Sequence, residues 1–154
     1  MIEVLALDEM LFTLRDFDPL RRVLLATPGT LQGTLAAYFG EQVDVEVVAQ
    51  SQTGSTFDRL VNLILRERAT VVCRAHSRVV VSDDDVLKLV IEQRIGLGRI
   101  AQLLRRDTFF RLESAAEGEE TFTRTYRLEG EGFAYEIREE FPSELYPARG
   151  RTDR

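Results

Sequence analysis

Three runs of the chain, near residues 107–114, 120–128 and 133–141, alternate apolar and polar side chains. They are separated by Glu117-Gly118-Glu119 and by Glu129-Gly130-Glu131-Gly132. Side chains alternate across a strand with period two, so each run reads as a half-buried strand, and glycine-containing gaps of this length read as hairpins. Such a meander has one apolar face, which the rest of the chain must cover. Earlier residues add to the same sheet. Val43, Val45, Val47 and Ala49 alternate with Asp44, Glu46, Val48 and Gln50, giving a first strand. Residues 52–55 read as a loop, Phe57 to Leu65 as a second strand and Thr70 to Val81 as a third, joined by Arg66-Glu67-Arg68.

The cover comes from two helical segments. Asp18-Pro19 is a good helix start, an acceptor followed by proline at the first helical position, and leads into Leu20 to Leu25. Thr27-Pro28-Gly29 breaks that helix. Thr30 is then placed to cap another, with Leu31, Leu35, Ala36 and Phe39 on one side and Gly40 past its end. Ser82-Asp83-Asp84-Asp85 opens a helix through Val86 to Ile91. Gly96-Leu97-Gly98 interrupts it, and Ile100, Leu103 and Leu104 suit a further short helix. Residues 1–15 are mixed and fit no single period. The expected fold class is α+β, a single mostly antiparallel sheet of about six strands with helices packed against it. One domain over residues 1–146 and a flexible tail over 147–154 are expected.

A length of 154 residues supports one sizeable core. Twenty basic against 26 acidic residues leave a net charge of −6, so a nucleic-acid partner is disfavoured. With one cysteine, Cys73, and one histidine, His76, neither an internal disulfide nor a typical zinc site can be built, and no metal or cofactor is expected. Apolar stretches such as Val23-Leu24-Leu25-Ala26 fall far short of a membrane span, and the N-terminus lacks a secretory pattern. A soluble, cytoplasmic monomer is the expectation.

The informative residues break the strand pattern. Phe133, Tyr135, Ile137, Glu139 and Phe141 share one face of their run, so Glu139 stands in the row that should meet the core. Arg124 stands likewise among Phe122, Tyr126 and Leu128, and Arg59 among Phe57, Val61, Leu63 and Leu65. A buried charge is costly, and a structural Arg–Glu ion pair, a bulge that reverses phase or solvent access at a strand end each accounts for one. Three together favour a small cavity with two guanidinium groups and one carboxyl. The planar fork of arginine suits a carboxylate, which makes a small organic acid the natural ligand. Backbone N–H groups at Gly29-Thr30 and Leu97-Gly98, each at an expected helix start, fit the same anion. His76 alternates with Arg74 and Arg78 and reads as a surface residue, and Cys73 reads as a small core residue.

These residues resemble, in order and spacing, the chorismate pyruvate-lyase (4-hydroxybenzoate synthase) family over roughly residues 22–146. The resemblance runs through Leu24 to Leu31, Val43 to Val48, Arg59-Leu60-Val61-Asn62-Leu63, Ala75 to Val79 and Leu97-Gly98-Arg99. It continues in Arg124 with Tyr126, Arg127 and Leu128, then Glu139, Phe141 and Leu145-Tyr146. The chain departs from the family pattern at Pro28-Gly29 and in the short stretch between its first two strands. The resemblance implies a chorismate lyase-like fold and elimination of enolpyruvate from chorismate, giving 4-hydroxybenzoate and pyruvate without a cofactor. It implies that Arg59 binds the ring carboxylate, aided by backbone groups near Gly29, Thr30 and Leu97. Glu139 would lie at the opposite end against the ring hydroxyl, as acid/base, and Arg124 would be a second cationic contact. Two other readings stay open: a non-catalytic domain of the same fold that binds a small aromatic acid as effector, and a related enzyme acting on another cyclohexadiene acid. Effector domains of this kind normally follow a winged-helix DNA-binding domain, for which residues 1–40 are too short.

Overall fold

The computed structural model describes residues 2–29, 31–92 and 105–148, the last four residues of the second stretch by their backbone alone. The chain runs β1 (Ile2–Val4), α1 (Leu7–Leu14), α2 (Pro19–Ala26), α3 (Gln32–Phe39), β2 (Val43–Thr53), β3 (Thr56–Leu65) and β4 (Val71–Val81). It continues with α4 (Asp84–Glu92), β5 (Thr108–Glu117), β6 (Thr121–Gly130) and β7 (Phe133–Pro142), and ends in a single 3₁₀ turn, Ser143–Leu145. All seven strands form one sheet in the order β1-β5-β6-β7-β4-β3-β2. Every pairing is antiparallel except β1 with β5.

The fold is thus α+β as expected, with seven strands among the described residues in place of about six. The added one, β1, is three residues long and forms by parallel pairing of Ile2, Glu3 and Val4 with Thr108, Phe109 and Phe110. Its partner lies a hundred residues away, so no local periodicity announces it. The β2–β3 hairpin is also tighter than predicted: the ladder extends to Thr53 opposite Thr56, and only Gly54 and Ser55 make the turn, Gly54 with φ +62°. In β2 the expected inward row breaks at Ala49. A bulge at Val48 shifts the register, so Val47 faces Val61 but Ala49 faces Leu60 on the outer side.

The helix starts follow capping chemistry. Asp18 accepts a hydrogen bond from the Leu20 N–H at 3.1 Å, with Pro19 at the first helical position. Within Ser82-Asp83-Asp84-Asp85, Asp83 caps α4 by accepting from the N–H groups of Asp85 and Val86. Helix α3 begins from Leu31 without a side-chain cap; Thr30, expected there, lies outside the described residues, as does the short helix expected around Ile100.

One face of the sheet carries Phe57, Leu63, Cys73, Val79, Phe110, Phe122, Leu128, Tyr135, Ile137 and Phe141, all buried in a single core with Met10, Leu14, Leu24, Leu25 and Leu35 of the helices. The other face is charged and laddered across the strands, with Asp58 opposite Arg78, Arg78 opposite Glu136 and Glu136 opposite Arg127. His76 lies on this outer face, exposed, as expected.

The β3–β4 turn is tied to α3 by Glu41, which accepts from the N–H groups of Glu67 and Arg68 and from the Arg68 guanidinium at 2.7 Å. Burial alone would raise the Glu41 pKa, but the two backbone donors and the guanidinium outweigh it and hold the carboxyl below its ordinary 4.5. A carboxyl that binds its proton more weakly when folded contributes stability above its unfolded pKa, and loses it as pH falls through the folded value. Glu41→Gln should therefore flatten the acid limb of stability. Urea midpoints taken from about pH 6 down to about pH 3 should fall less steeply in the variant than in the parent.

Candidate functional site

All three charges that break the strand pattern lie on the covered face. Arg59 is 2% exposed, Glu139 4% and Arg124 0%, so none reaches solvent by lying near the end of its run. Their arrangement follows from the ladder. The β6–β7 hairpin turns through Glu131 and Gly132, with Gly130 opposite Phe133, and this register sets Arg124 directly across from Glu139. The Arg124 Nε donates to Glu139 Oε1 at 2.6 Å.

The Arg124 guanidinium does a second job. Its Nη1 donates to the carbonyls of Leu25 at 3.0 Å and Thr27 at 2.7 Å, where α2 ends. A helix C-terminus leaves carbonyls without intrahelical partners, and a cation there satisfies them and complements the helix dipole. The guanidinium also lies 4.3 Å from the ring centre of Tyr126. Burial pulls its pKa down, but Glu139 and Tyr126 more than offset that and it is held above its ordinary value. Burial pushes the Glu139 carboxyl up, and Arg124 draws it partly back. Arginine does not give up its proton in a protein, so protonating Glu139 would leave a bare buried cation. The pair is accordingly read as ionised.

Arg59 sits elsewhere on the same face. It lies opposite Ser77 of β4, which lies opposite Ile137 of β7, whereas Glu139 is one inward row further along. With β4 between them, the backbones of Arg59 and Glu139 are separated by roughly 12 Å from strand spacing and rise. Glu139 turns to Arg124 on β6, the side of β7 away from β3. Tyr135 is among the groups that act electrostatically on Arg59. Burial pushes the Arg59 pKa down and Tyr135 offsets part of that. The Ser77 hydroxyl, also buried, is 3.5 Å from the Arg59 carbonyl.

Gly29 follows α2 with φ +79°, in the left-handed region that favours glycine, and a Cβ there would stand 2.9 Å from the Ile2 side chain. Turn geometry and the packing of β1 thus account for this glycine. Its segment is still brought to the charged pair, because Arg124 holds the Thr27 carbonyl two residues earlier. Leu97 and Thr30 lie outside the described residues. Cys73 is fully buried and its thiol is pushed far up by burial, in keeping with a core residue. Among the described residues, no group of three or more His, Cys, Asp or Glu side chains could hold a metal, and no helix is long and apolar enough to cross a membrane. A depression of about 170 Å³ opens on the outer face, lined by Ser51, Asp58, Leu60 and His76 and touching Arg59 of the same strand.

The structure therefore unites Arg124, Glu139 and the Thr27–Gly29 turn in one cluster and sets Arg59 apart from it, within the electrostatic reach of Tyr135. Tyr135 stands in an inward row without breaking its pattern, and that place already requires a buried home for its hydroxyl.

No family model matches the chain, and no curated protein matches it. Among solved structures it is similar to the C-terminal domain of histidine utilization repressor from Pseudomonas syringae pv. tomato str. DC3000. The identity is 13% and the TM-score 0.45, over 73% of this chain and 100% of that one.

Proposed function

We propose that the chain is a binding domain for a small organic acid, anchored by Arg59 on the covered face of the sheet, and that it is not catalytic. The observation that carries this reading is the guanidinium of Arg59, 2% exposed in an inward row where burial disfavours its charge. An anionic ligand relieves that directly, and the apolar side chains of the same face suit a ring. The engagement of Glu139 with Arg124 supports a binding role over a catalytic one, because a general acid or base must be able to exchange its proton with a substrate.

A panel of small aromatic acids tested by thermal shift should find at least one, with 4-hydroxybenzoate the first candidate, that raises the melting temperature. At a hundred times its Kd such a ligand should add roughly 5–10 °C for a domain of this size. Chorismate should not be turned over. A panel without a single shift from folded protein would sink the proposal.

Lyase action on chorismate is the second reading, favoured by one observation: the Glu139 carboxyl, pushed up by burial, shares the covered face with Arg59. In that reading Arg59 orients the ring carboxylate, and Glu139 moves a proton while the enolpyruvyl group leaves. Purified protein incubated with chorismate and no cofactor would then release pyruvate and 4-hydroxybenzoate in equal amounts. The same assay decides between the two readings.

A further inference from the structure

Tyr135 stands in the inward row of β7, 1% exposed, opposite Val79 of β4; Val79 in turn faces Phe57, the inward residue next to Arg59. Its ring is stacked on Phe133, with centres 4.9 Å apart and planes at 25°. Its hydroxyl is buried and has no hydrogen-bond partner among the described residues. A phenol in a dry core normally finds a partner, since a lost bond to water is otherwise uncompensated, and phenylalanine would fill the same space without that cost.

We propose that the Tyr135 O–H is a ligand contact beside Arg59, and that the two groups hold one carboxylate of a small apolar monocarboxylic acid. The inference rests on the reading of Arg59 as an anion anchor and adds to it a second contact and a charge rule. The hydroxyl stays protonated wherever the chain is folded, because burial pushes its pKa far up despite the neighbouring Arg59. It is then a fixed neutral donor next to a cationic one. Two donors of this kind match the two oxygens of a single carboxylate. The charge rule comes from the other cluster. Arg124 is already answered by Glu139 and by two carbonyls, so a second carboxylate on the same ligand would meet a neutralised pair and apolar side chains. A dianion should therefore be rejected.

Calorimetric titration of benzoate and of terephthalate into the parent, Tyr135→Phe and Arg59→Met tests this. Benzoate should bind the parent, Tyr135→Phe should bind it roughly tenfold or more weakly, Arg59→Met more weakly still, and terephthalate at least about tenfold more weakly than benzoate. Without ligand, Tyr135→Phe should melt no lower than the parent, because it deletes a hydroxyl that lacks a bond. If the variant binds benzoate as tightly as the parent while Arg59→Met does not, the tyrosine contact is wrong and the arginine anchor stands. A lower melting temperature for ligand-free Tyr135→Phe also overturns the proposal, since the hydroxyl would then have a structural partner. Equal affinity for terephthalate and benzoate overturns the charge rule. Failure of the parent to bind benzoate overturns the inference, whereas the anchor itself falls only if every acid in the wider panel fails.

Discussion

Glu139→Leu should destabilise the folded chain by about 3–5 kcal/mol in urea titrations at neutral pH, among the largest effects of a single change on the covered face of the sheet. Removing the carboxyl leaves the Arg124 guanidinium, itself 0% exposed, with two carbonyls and no counter-charge. Arg124→Met should cost a comparable amount at neutral pH, for two reasons: it leaves a buried carboxylate and strips the donors from the end of α2. The two variants should part company in acid. A carboxyl can escape by taking a proton, and without Arg124 its folded pKa lies further above the unfolded value. A group with a raised folded pKa destabilises once pH exceeds the unfolded pKa, so Arg124→Met should regain stability as the pH is lowered towards about 4.5. Arginine has no such escape, so Glu139→Leu should show no matching recovery. Combining Arg124→Met with Glu139→Leu should restore all but about 1–2 kcal/mol, the residue being the unmet carbonyls of Leu25 and Thr27. Simple additivity of the two single variants would refute the pairing.

This pair also marks how far sequence reasoning reached. Arg124 and Glu139 were visible as charges in the wrong row, because a strand admits only two phases and their neighbours Phe122, Tyr126, Ile137 and Phe141 settle which one is inward. Even their pairing was implicit, since a two-residue turn at Glu131-Gly132 sets 124 opposite 139. What periodicity could not say is whether adjacent inward charges bond to each other or wait for a ligand, as both satisfy the same pattern. That depends on the end of α2, ninety-seven positions from Arg124 along the chain. The bulge at Val48 was hidden for a different reason: one extra residue reverses the phase, and Val47-Val48-Ala49 carries no side chain polar enough to reveal the change. Strand β1 was hidden because three residues carry too little periodicity to register. Tyr135 fits its inward row through its ring, and periodicity is blind to its hydroxyl.

Arg59→Met should behave in the opposite way to the Arg124 variant, and that contrast is the sharpest test of which arginine serves a ligand. Affinity for an aromatic acid should fall by about thirtyfold to several hundredfold, the range for losing a charge-assisted pair of hydrogen bonds to a carboxylate. Folding stability should change far less than in Arg124→Met. The reason lies in the surroundings of each side chain. Arg124 is held by a carboxylate and two carbonyls that lose their partner when it goes, so the cost falls on the fold. At Arg59 the surroundings taken together, burial foremost, disfavour the charge, so methionine replaces a disfavoured buried cation by an apolar chain of similar reach. Arg59→Lys completes the argument. It keeps the charge but not the planar fork, and a carboxylate gripped by two coplanar N–H groups should lose most of its affinity to it, whereas one attracted only by net charge should not. Equal binding by parent and lysine variant would therefore reduce Arg59 to a source of field. A large loss of stability in Arg59→Met with binding unchanged would place this arginine, like Arg124, in the framework of the fold.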